Sequence, residues 1–156
     1  MIIACEKIPI FDKIEGIFLG DIVAAEDREL LKKNGVKIVI CMVKEKYKRF
    51  EDFIYYDFPI DNSRDEDISS IFDKTNKILE SNENVFVHCQ NAVSRSVSVV
   101  LAYLMYCGND LKTSLNLLKN RKTYTKSNVG FCKQLILYEK KLLNTNSISL
   151  SEMREK

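Results

Sequence analysis

Short apolar stretches alternate with amphipathic stretches along the chain, and this alternation predicts the order of its elements. Residues 14–19, 36–43, 52–60 and 85–88 are mostly apolar, with many branched or aromatic side chains, as is typical of β-strands. Residues 24–33 and a segment from about residue 67 show apolar side chains at helical spacing. Residues 96–106 are apolar nearly all round, which predicts a helix in the centre of a domain. Two more helices are predicted, one capped by Asp110 and one beginning near Gly130.

The predicted order is strand, helix, strand, strand, helix, strand and then a run of helices. This order is typical of an α/β fold in which helices cover a central sheet. We expect one domain over residues 1–143, followed by a polar and flexible tail over residues 144–156.

Composition narrows the range of functions. The 156 residues, 46% of them apolar, suffice for one domain with a core. The net charge of +2 is too small to indicate a nucleic-acid or membrane partner. No segment approaches the roughly 18 apolar residues of a membrane span, and the first ten residues lack the basic start of a signal peptide. Five cysteines without a CxxC pair, and one histidine, predict no metal site and a reducing, cytoplasmic location.

Residues 85–100, VFVHCQNAVSRSVSVV, read as a buried strand, a short loop and a buried helix. Loop amides and the helix N-terminus favour a bound anion and the thiolate form of Cys89. Arg95 follows at Cys-x5-Arg spacing, and its planar guanidinium suits two phosphate oxygens at once. The alternative, a buried strand cysteine and an ordinary helix-start cation, is disfavoured because a cation there opposes the helix dipole.

Residues 88–96, HCQNAVSRS, resemble the HCxxGxSRS signature of the dual-specificity phosphatases, which belong to the protein tyrosine phosphatase superfamily. Residues 17–20 are similar to the family's early YLG strand, and residues 128–139 to its late PNxGFxxQLxxxE segment. The likeness covers roughly residues 14–143. It implies a mostly parallel mixed sheet of about five strands flanked by helices, a phosphocysteine intermediate, and no metal or other cofactor.

The resemblance also implies roles for the site residues. Cys89 is the nucleophile, Arg95 clamps the phosphate, and Ser96 assists the departing thiolate. His88 orients the loop and tunes the thiol, and Asn128 braces the site. The residues expected to surround the phosphate are Gln90, Asn91, Ala92, Val93, Ser94 and Arg95.

Ala92 stands where the family has glycine, so we expect a strained or slightly narrowed loop. Arg121 or Lys122 is a candidate second contact for phosphate or acidic residues, and a helix C-terminal cation is an equally good interpretation.

The general acid is expected in the acidic segment 58–68. The family pattern PxxDN followed by DI matches Asp61 with the next asparagine, and Asp67 with the next isoleucine, although the spacing is shifted. Asp61 is the predicted acid, Asp65 and Glu66 are the alternatives, and Asp67 is expected to cap a helix. An acidic surface loop without a chemical role is the plain alternative for each of them.

Cys41, near the end of a core strand, admits a protective disulfide with Cys89 under oxidation, but a buried core cysteine is the preferred interpretation.

The leading hypothesis is a protein phosphatase that acts on phosphotyrosine and on phosphoserine or phosphothreonine. Uncharged Gln90 and Val93 favour phosphorylated proteins over inositol phospholipids as substrates. One alternative is a catalytically weak pseudophosphatase that binds phosphopeptides, and another is a phosphoinositide or RNA 5′-phosphatase. The oligomeric state is left open.

Overall fold

The computed structural model describes residues 8–121 and 125–155, which form five strands and seven helices. The strands are β1 (Phe11–Ile14), β2 (Ile17–Gly20), β3 (Ile38–Cys41), β4 (Ile54–Asp57) and β5 (Phe86–His88). The helices are α1 (Ile22–Ala25), α2 (Arg28–Lys33), α3 (Phe72–Ser81), α4 (Arg95–Tyr106), α5 (Leu111–Arg121), α6 (Val129–Leu143) and α7 (Leu150–Met153). A 3₁₀ turn, Ser69–Ile71, leads into α3.

The strands form one sheet in the order β1-β2-β5-β3-β4. The β1 strand pairs antiparallel with β2, and the other neighbours pair parallel. The predicted α/β fold with a mostly parallel mixed sheet is therefore confirmed. Since β5, β3 and β4 run in parallel, the loops that follow them meet at one edge of the sheet.

The two faces of the sheet carry separate apolar clusters. Side chains of α3, α4, α5 and α6 pack with one face, and those of α1 and α2 pack with the other. The α4 helix contacts α3, α5, α6 and the sheet, and most of its side chains are buried. The predicted central helix is thus confirmed, and it holds the loop after β5 against the middle of the domain.

Two predicted elements are divided in the structure. The predicted strand 14–19 spans the end of β1, a turn and most of β2, because Glu15 (φ 48°) and Gly16 (φ 86°) adopt left-handed conformations. The predicted helix 24–33 is split into α1 and α2, because Asp27 begins a second helix by accepting a hydrogen bond from the Leu30 N–H at 3.1 Å.

The sequence predicts a flexible tail from Asn144, whereas the structure gives this segment the helix α7. Partly buried Ile148 and Met153 pack against the larger apolar cluster. Within residues 8–121 and 125–155, no helix combines the length and the apolar character that crossing a membrane requires.

Candidate active site

Cys89 follows β5 directly and lies at the edge where the parallel strands end. Its side chain is buried, and its Sγ lies 3.1 Å from the Oγ of Ser96 in the first turn of α4. The first amides of a helix have no acceptor within the helix, so this turn offers free N–H groups to an anion. The sulfur therefore lies beside a hydroxyl that can donate a hydrogen bond to it and at a helix end that favours negative charge.

The loop between Cys89 and α4 is tightly curved. Ala92 is fully buried and has φ 59°, in the left-handed region that favours glycine. This φ is the physical reason for a glycine at this position of the signature. Neighbouring segments fix the loop, because the Ile22 N–H donates to the Gln90 carbonyl at 3.2 Å and the Lys126 N–H donates to the Val93 carbonyl at 2.8 Å.

Arg95 opens α4 and reaches the loops that follow β3 and β4. Its Nη1 donates to the carbonyl oxygens of Met42 at 3.2 Å and Ile60 at 2.7 Å. Its Nε is buried and has no hydrogen-bond partner among the described residues. A buried, unpaired N–H of a guanidinium is costly, and an oxyanion is the acceptor that suits it.

His88 is fully buried, and burial lowers its pKa to about 4. Its Nδ1 lies 3.4 Å from the Cys89 carbonyl, and its Nε2 lies 2.9 Å from the Tyr47 hydroxyl. A carbonyl only accepts, so the single proton of the neutral ring belongs on Nδ1, and Tyr47 donates to Nε2. Burial raises the pKa of Tyr47, which keeps that proton in place. The neutral ring of His88 is thus held between the Cys89 carbonyl and the Tyr47 hydroxyl.

Asp61 lies directly after Ile60, whose carbonyl holds Arg95. Its carboxylate accepts a hydrogen bond from the Lys44 Nζ at 2.8 Å, and 59% of its side chain is exposed. The hydrogen bond with Asp61 raises the pKa of Lys44. The predicted acid therefore lies at the rim of the site in an exposed ion pair, and water or a ligand can replace Lys44 as its partner.

The other acidic residues of this segment have different surroundings. Asp67 accepts a hydrogen bond from the Ser70 N–H at 3.2 Å and thus caps the turn before α3. The carbonyl of Glu66 accepts from the Gln134 Nε2 at 2.8 Å, so this half of the segment is fixed to α6. The Asp65 side chain is exposed.

Asn128 joins the two loops of the site. It begins α6, with its Oδ1 accepting from the Phe131 N–H at 2.9 Å. Its own N–H donates to the Ser94 Oγ at 3.1 Å, and its Nδ2 donates to the Asn62 Oδ1 at 2.9 Å. One residue thereby braces both the loop of Cys89 and the segment of Asp61.

Gly130 lets the acidic segment approach α6 closely. A Cβ at this position would lie 2.1 Å from the carbonyl oxygen of Arg64, far inside any real contact. Glycine is therefore required here for close packing and not for an unusual φ.

Cys41 lies on the other face of the sheet from Cys89. It pairs in register with His88, so the two side chains share one face, and the next residue, Cys89, faces the opposite cluster. The Cys41 thiol lies near the Arg49 guanidinium, at 3.7 Å. The disulfide with Cys89 that the sequence admitted does not fit this geometry, and the preferred interpretation of Cys41 as a buried core cysteine is confirmed.

Sequence reasoning missed Tyr47, Lys44 and the carbonyls of Met42 and Ile60. All four follow β3 or β4, and the sheet order sets those strands beside β5. The sequence carries a signal for these residues, because polar side chains that follow parallel strands meet at the same edge of the sheet. The order of the strands is needed before that signal can be used. Of the candidate second contacts, Arg121 ends α5 and Lys122 lies outside the described residues.

The fold and the loop between β5 and α4 define a member of the protein tyrosine phosphatase superfamily. A family model described as the catalytic domain of dual specificity phosphatases matches residues 17–141. The chain therefore belongs to the dual specificity phosphatase family.

Curated relatives come from distant organisms. MAP kinase phosphatase with leucine-rich repeats protein 3 of Dictyostelium discoideum is 35% identical over 88% of this chain and 17% of its own length. Human dual specificity protein phosphatase 21 is 33% identical over 86% of this chain and 74% of its own length. The chain thus spans less than a fifth of the first relative and about three quarters of the second.

Solved structures share the whole fold. Human DUSP28 superimposes with a TM-score of 0.80 at 25% identity, covering 90% of this chain and 99% of its own. The human tyrosine phosphatase-like serine/threonine/tyrosine-interacting protein gives a TM-score of 0.75 at 26% identity, covering 85% and 97%.

Proposed function

We propose that this chain is a protein phosphatase that hydrolyses phosphotyrosine and phosphoserine or phosphothreonine through a phosphocysteine intermediate. One observation carries the proposal: a buried thiol, a hydroxyl and a guanidinium N–H that has no partner among the described residues lie together at the start of one helix. Each group has a task in transferring a phosphoryl group, and the family supports that combination.

Binding of the substrate phosphate comes first. The amides from Gln90 to the first turn of α4 surround its oxygens, and the Arg95 Nε supplies the charged donor. The carbonyls of Met42 and Ile60 hold the guanidinium in place by its Nη1, so little side-chain freedom is lost on binding.

In the first chemical step, the Cys89 thiolate attacks phosphorus while the bond to the leaving oxygen breaks. A carboxylic acid protonates that oxygen, so that an alcohol or phenol departs instead of an anion. We propose Asp61 as this acid, because it directly follows Ile60, whose carbonyl holds Arg95, whereas the backbone of Glu66 is tied to α6 and the Asp67 carboxylate caps a turn.

In the second step, water attacks the phosphocysteine and the sulfur–phosphorus bond breaks. The Asp61 carboxylate takes the proton from water, and inorganic phosphate leaves. The Ser96 hydroxyl, 3.1 Å from the sulfur, donates to the thiolate as negative charge returns to it. The two steps restore the enzyme and balance without a further co-reactant.

Phosphorylated proteins are the proposed substrates. Gln90 and Val93 add no cation to the loop, which favours a phosphorylated side chain over a multiply charged inositol lipid. The Dictyostelium relative is named as a MAP kinase phosphatase, so a phosphorylated MAP kinase is a reasonable first protein to test. A reducing compartment such as the cytoplasm suits a free nucleophilic thiol, and we propose that location.

A pseudophosphatase that only binds phosphopeptides is the weaker candidate. Ala92 and the shifted acidic segment motivate it. The left-handed φ of Ala92 supports a loop that keeps the curvature of its glycine-containing relatives, and the nucleophile, clamp and assisting hydroxyl are all retained. These observations favour turnover.

Hydrolysis of an aryl phosphate tests the proposal. Wild type, Cys89→Ser, Asp61→Asn and Asp65→Asn are compared across pH, with Lys44→Gln and Lys46→Gln as a matched pair. Cys89→Ser is expected to be inactive, and Asp61→Asn is expected to lose far more turnover than Asp65→Asn. Lys44→Gln should change turnover more than Lys46→Gln, because the Lys44 Nζ donates a hydrogen bond to the Asp61 carboxylate.

Two outcomes separate the parts of the proposal. Equal rates for wild type and Cys89→Ser would end the phosphatase hypothesis. A greater loss in Asp65→Asn than in Asp61→Asn would transfer the acid role to Asp65 and leave the nucleophile unaffected. A panel of phosphopeptides, inositol phosphates and a 5′-phosphorylated RNA then decides the substrate class.

A further inference from the structure

The segment after α6 turns back onto the domain. Asn144 ends α6 in a left-handed conformation, with φ 54°, and the chain reverses there. Ser149 begins α7 with a capping box, in which its Oγ accepts from the Glu152 N–H and the Glu152 side chain accepts from the Ser149 N–H, both at 3.2 Å. The segment thus has a defined local structure of its own.

A buried carboxylate anchors the beginning of this segment. Glu139 on α6 is fully buried and accepts three hydrogen bonds from backbone and hydroxyl donors. The Leu111 N–H donates to its Oε2 at 2.7 Å, the Ser147 Oγ donates to Oε2 at 2.5 Å, and the Ser147 N–H donates to Oε1 at 3.0 Å. A buried carboxylate needs such donors, so Ser147 is held firmly to the core.

The end of the segment reaches the support of the active site. The Arg154 Nη1 donates to the Ser127 carbonyl at 3.1 Å. Ser127 is buried, and its Oγ lies 3.2 Å from the Oγ of Ser98 on α4. Arg154 therefore binds the residue that directly precedes Asn128.

Asn128 is the brace between the two loops of the site, through Ser94 and Asn62. The adjoining Lys126 N–H also holds the Val93 carbonyl of the loop. A shift of residues 126–128 would thus move the loop of Cys89 and the segment of Asp61 relative to each other.

We infer that Arg154 is a positioning residue for catalysis, because it fixes the Ser127 carbonyl and thereby the brace that aligns the general acid with the nucleophile. The inference rests on the proposed phosphatase function and deepens it. Arg154 touches no reacting atom, and it acts through Ser127 and Asn128.

Two aryl phosphates test this inference, one with an acidic phenol as leaving group and one with a phenol as basic as that of tyrosine. In the first chemical step, a misaligned general acid slows only the release of the basic phenol, which cannot leave without a proton. For Arg154→Gln we expect kcat/KM, which reports formation of the phosphocysteine and not its hydrolysis, to fall about threefold to tenfold on the basic phenol and by less than about twofold on the acidic one.

Two variants serve as controls. Arg28→Gln makes the same change of charge on α2, where Arg28 forms a surface ion pair with Asp52, and should leave the kinetics on both substrates unchanged. Arg154→Lys can still donate to the Ser127 carbonyl and should recover most of the loss. Hydrogen exchange at the Asn128 amide should be faster in Arg154→Gln and unchanged in Arg28→Gln.

Equal kinetics of Arg154→Gln and wild type on both phosphates would overturn the inference. An equal loss on both phosphates, following a lowered melting temperature, would also overturn it, because it would mean a purely structural role. If wild type shows no turnover that Cys89→Ser abolishes, the proposed function itself fails, and this separate result is visible before any Arg154 variant is compared.

Discussion

His88 makes the stability of this fold depend on pH, and the chain has only one histidine with which to measure it. Burial lowers its pKa from 6.5 to about 4. A group whose pKa is lowered by folding makes its full contribution to the stability of the fold at pH values above its ordinary pKa. That contribution is lost as the pH falls from 6.5 towards 4.

The size of the effect follows from these two pKa values. Each pH unit between them is worth about 1.4 kcal/mol, so protonation of His88 in the folded state costs on the order of 3 kcal/mol. Between pH 7 and pH 5, the free energy of unfolding should fall by about 2 kcal/mol through this residue.

Urea unfolding at several pH values measures the loss of stability, and NMR of the imidazole measures the pKa of His88 in the folded protein. The single imidazole signal needs no assignment experiment and should stay in its neutral form down to about pH 5. The variant His88→Gln, which does not titrate, should lose the slope between pH 7 and pH 5. An imidazole that titrates near its ordinary pKa, or the same slope in both proteins, would refute the reasoning.

Substitutions at three other positions have expected outcomes. Ala92→Gly should change the free energy of unfolding by less than about 1 kcal/mol, because relief of the left-handed φ offsets the lost burial of the methyl group. In the same urea assay, Ala92→Val should destabilise the fold by several times as much. Ser96→Ala should slow hydrolysis of the phosphocysteine about tenfold to a hundredfold, so a burst of released phenol should appear in rapid-quench experiments. A slower burst, which would mean slower formation of the phosphocysteine, would contradict the role given to Ser96. Gly130→Ala should lower the melting temperature although alanine favours helices, because the new Cβ meets Arg64; an increase would show that the segment moves freely.

The grouping of the main candidate site residues could be predicted because they lie in one contiguous stretch. Cys89, Ser96 and Arg95 are close in sequence, and a strand, a tight loop and a helix bring them together without information from elsewhere. The glycine-like conformation of Ala92 follows from the same local geometry.

What escaped prediction depends on contacts across the chain. The bond between Tyr47 and His88 requires β3 to lie next to β5, an order that periodicity does not reveal. The segment after Asn144 is polar, and polar composition predicts flexibility. Its order comes from a buried acceptor, Glu139, whose burial becomes visible only when α5 and α6 pack.

The opposite orientations of Cys41 and Cys89 bear on how peroxide would affect the protein. A sulfenic acid formed on Cys89 is normally rescued when a nearby thiol captures it as a disulfide. Here the backbone of β3 and β5 stands between the two sulfur atoms, so Cys41 can reach Cys89 only if the strand ends separate. Cys41 is therefore not positioned to rescue an oxidised Cys89 while the sheet stays intact.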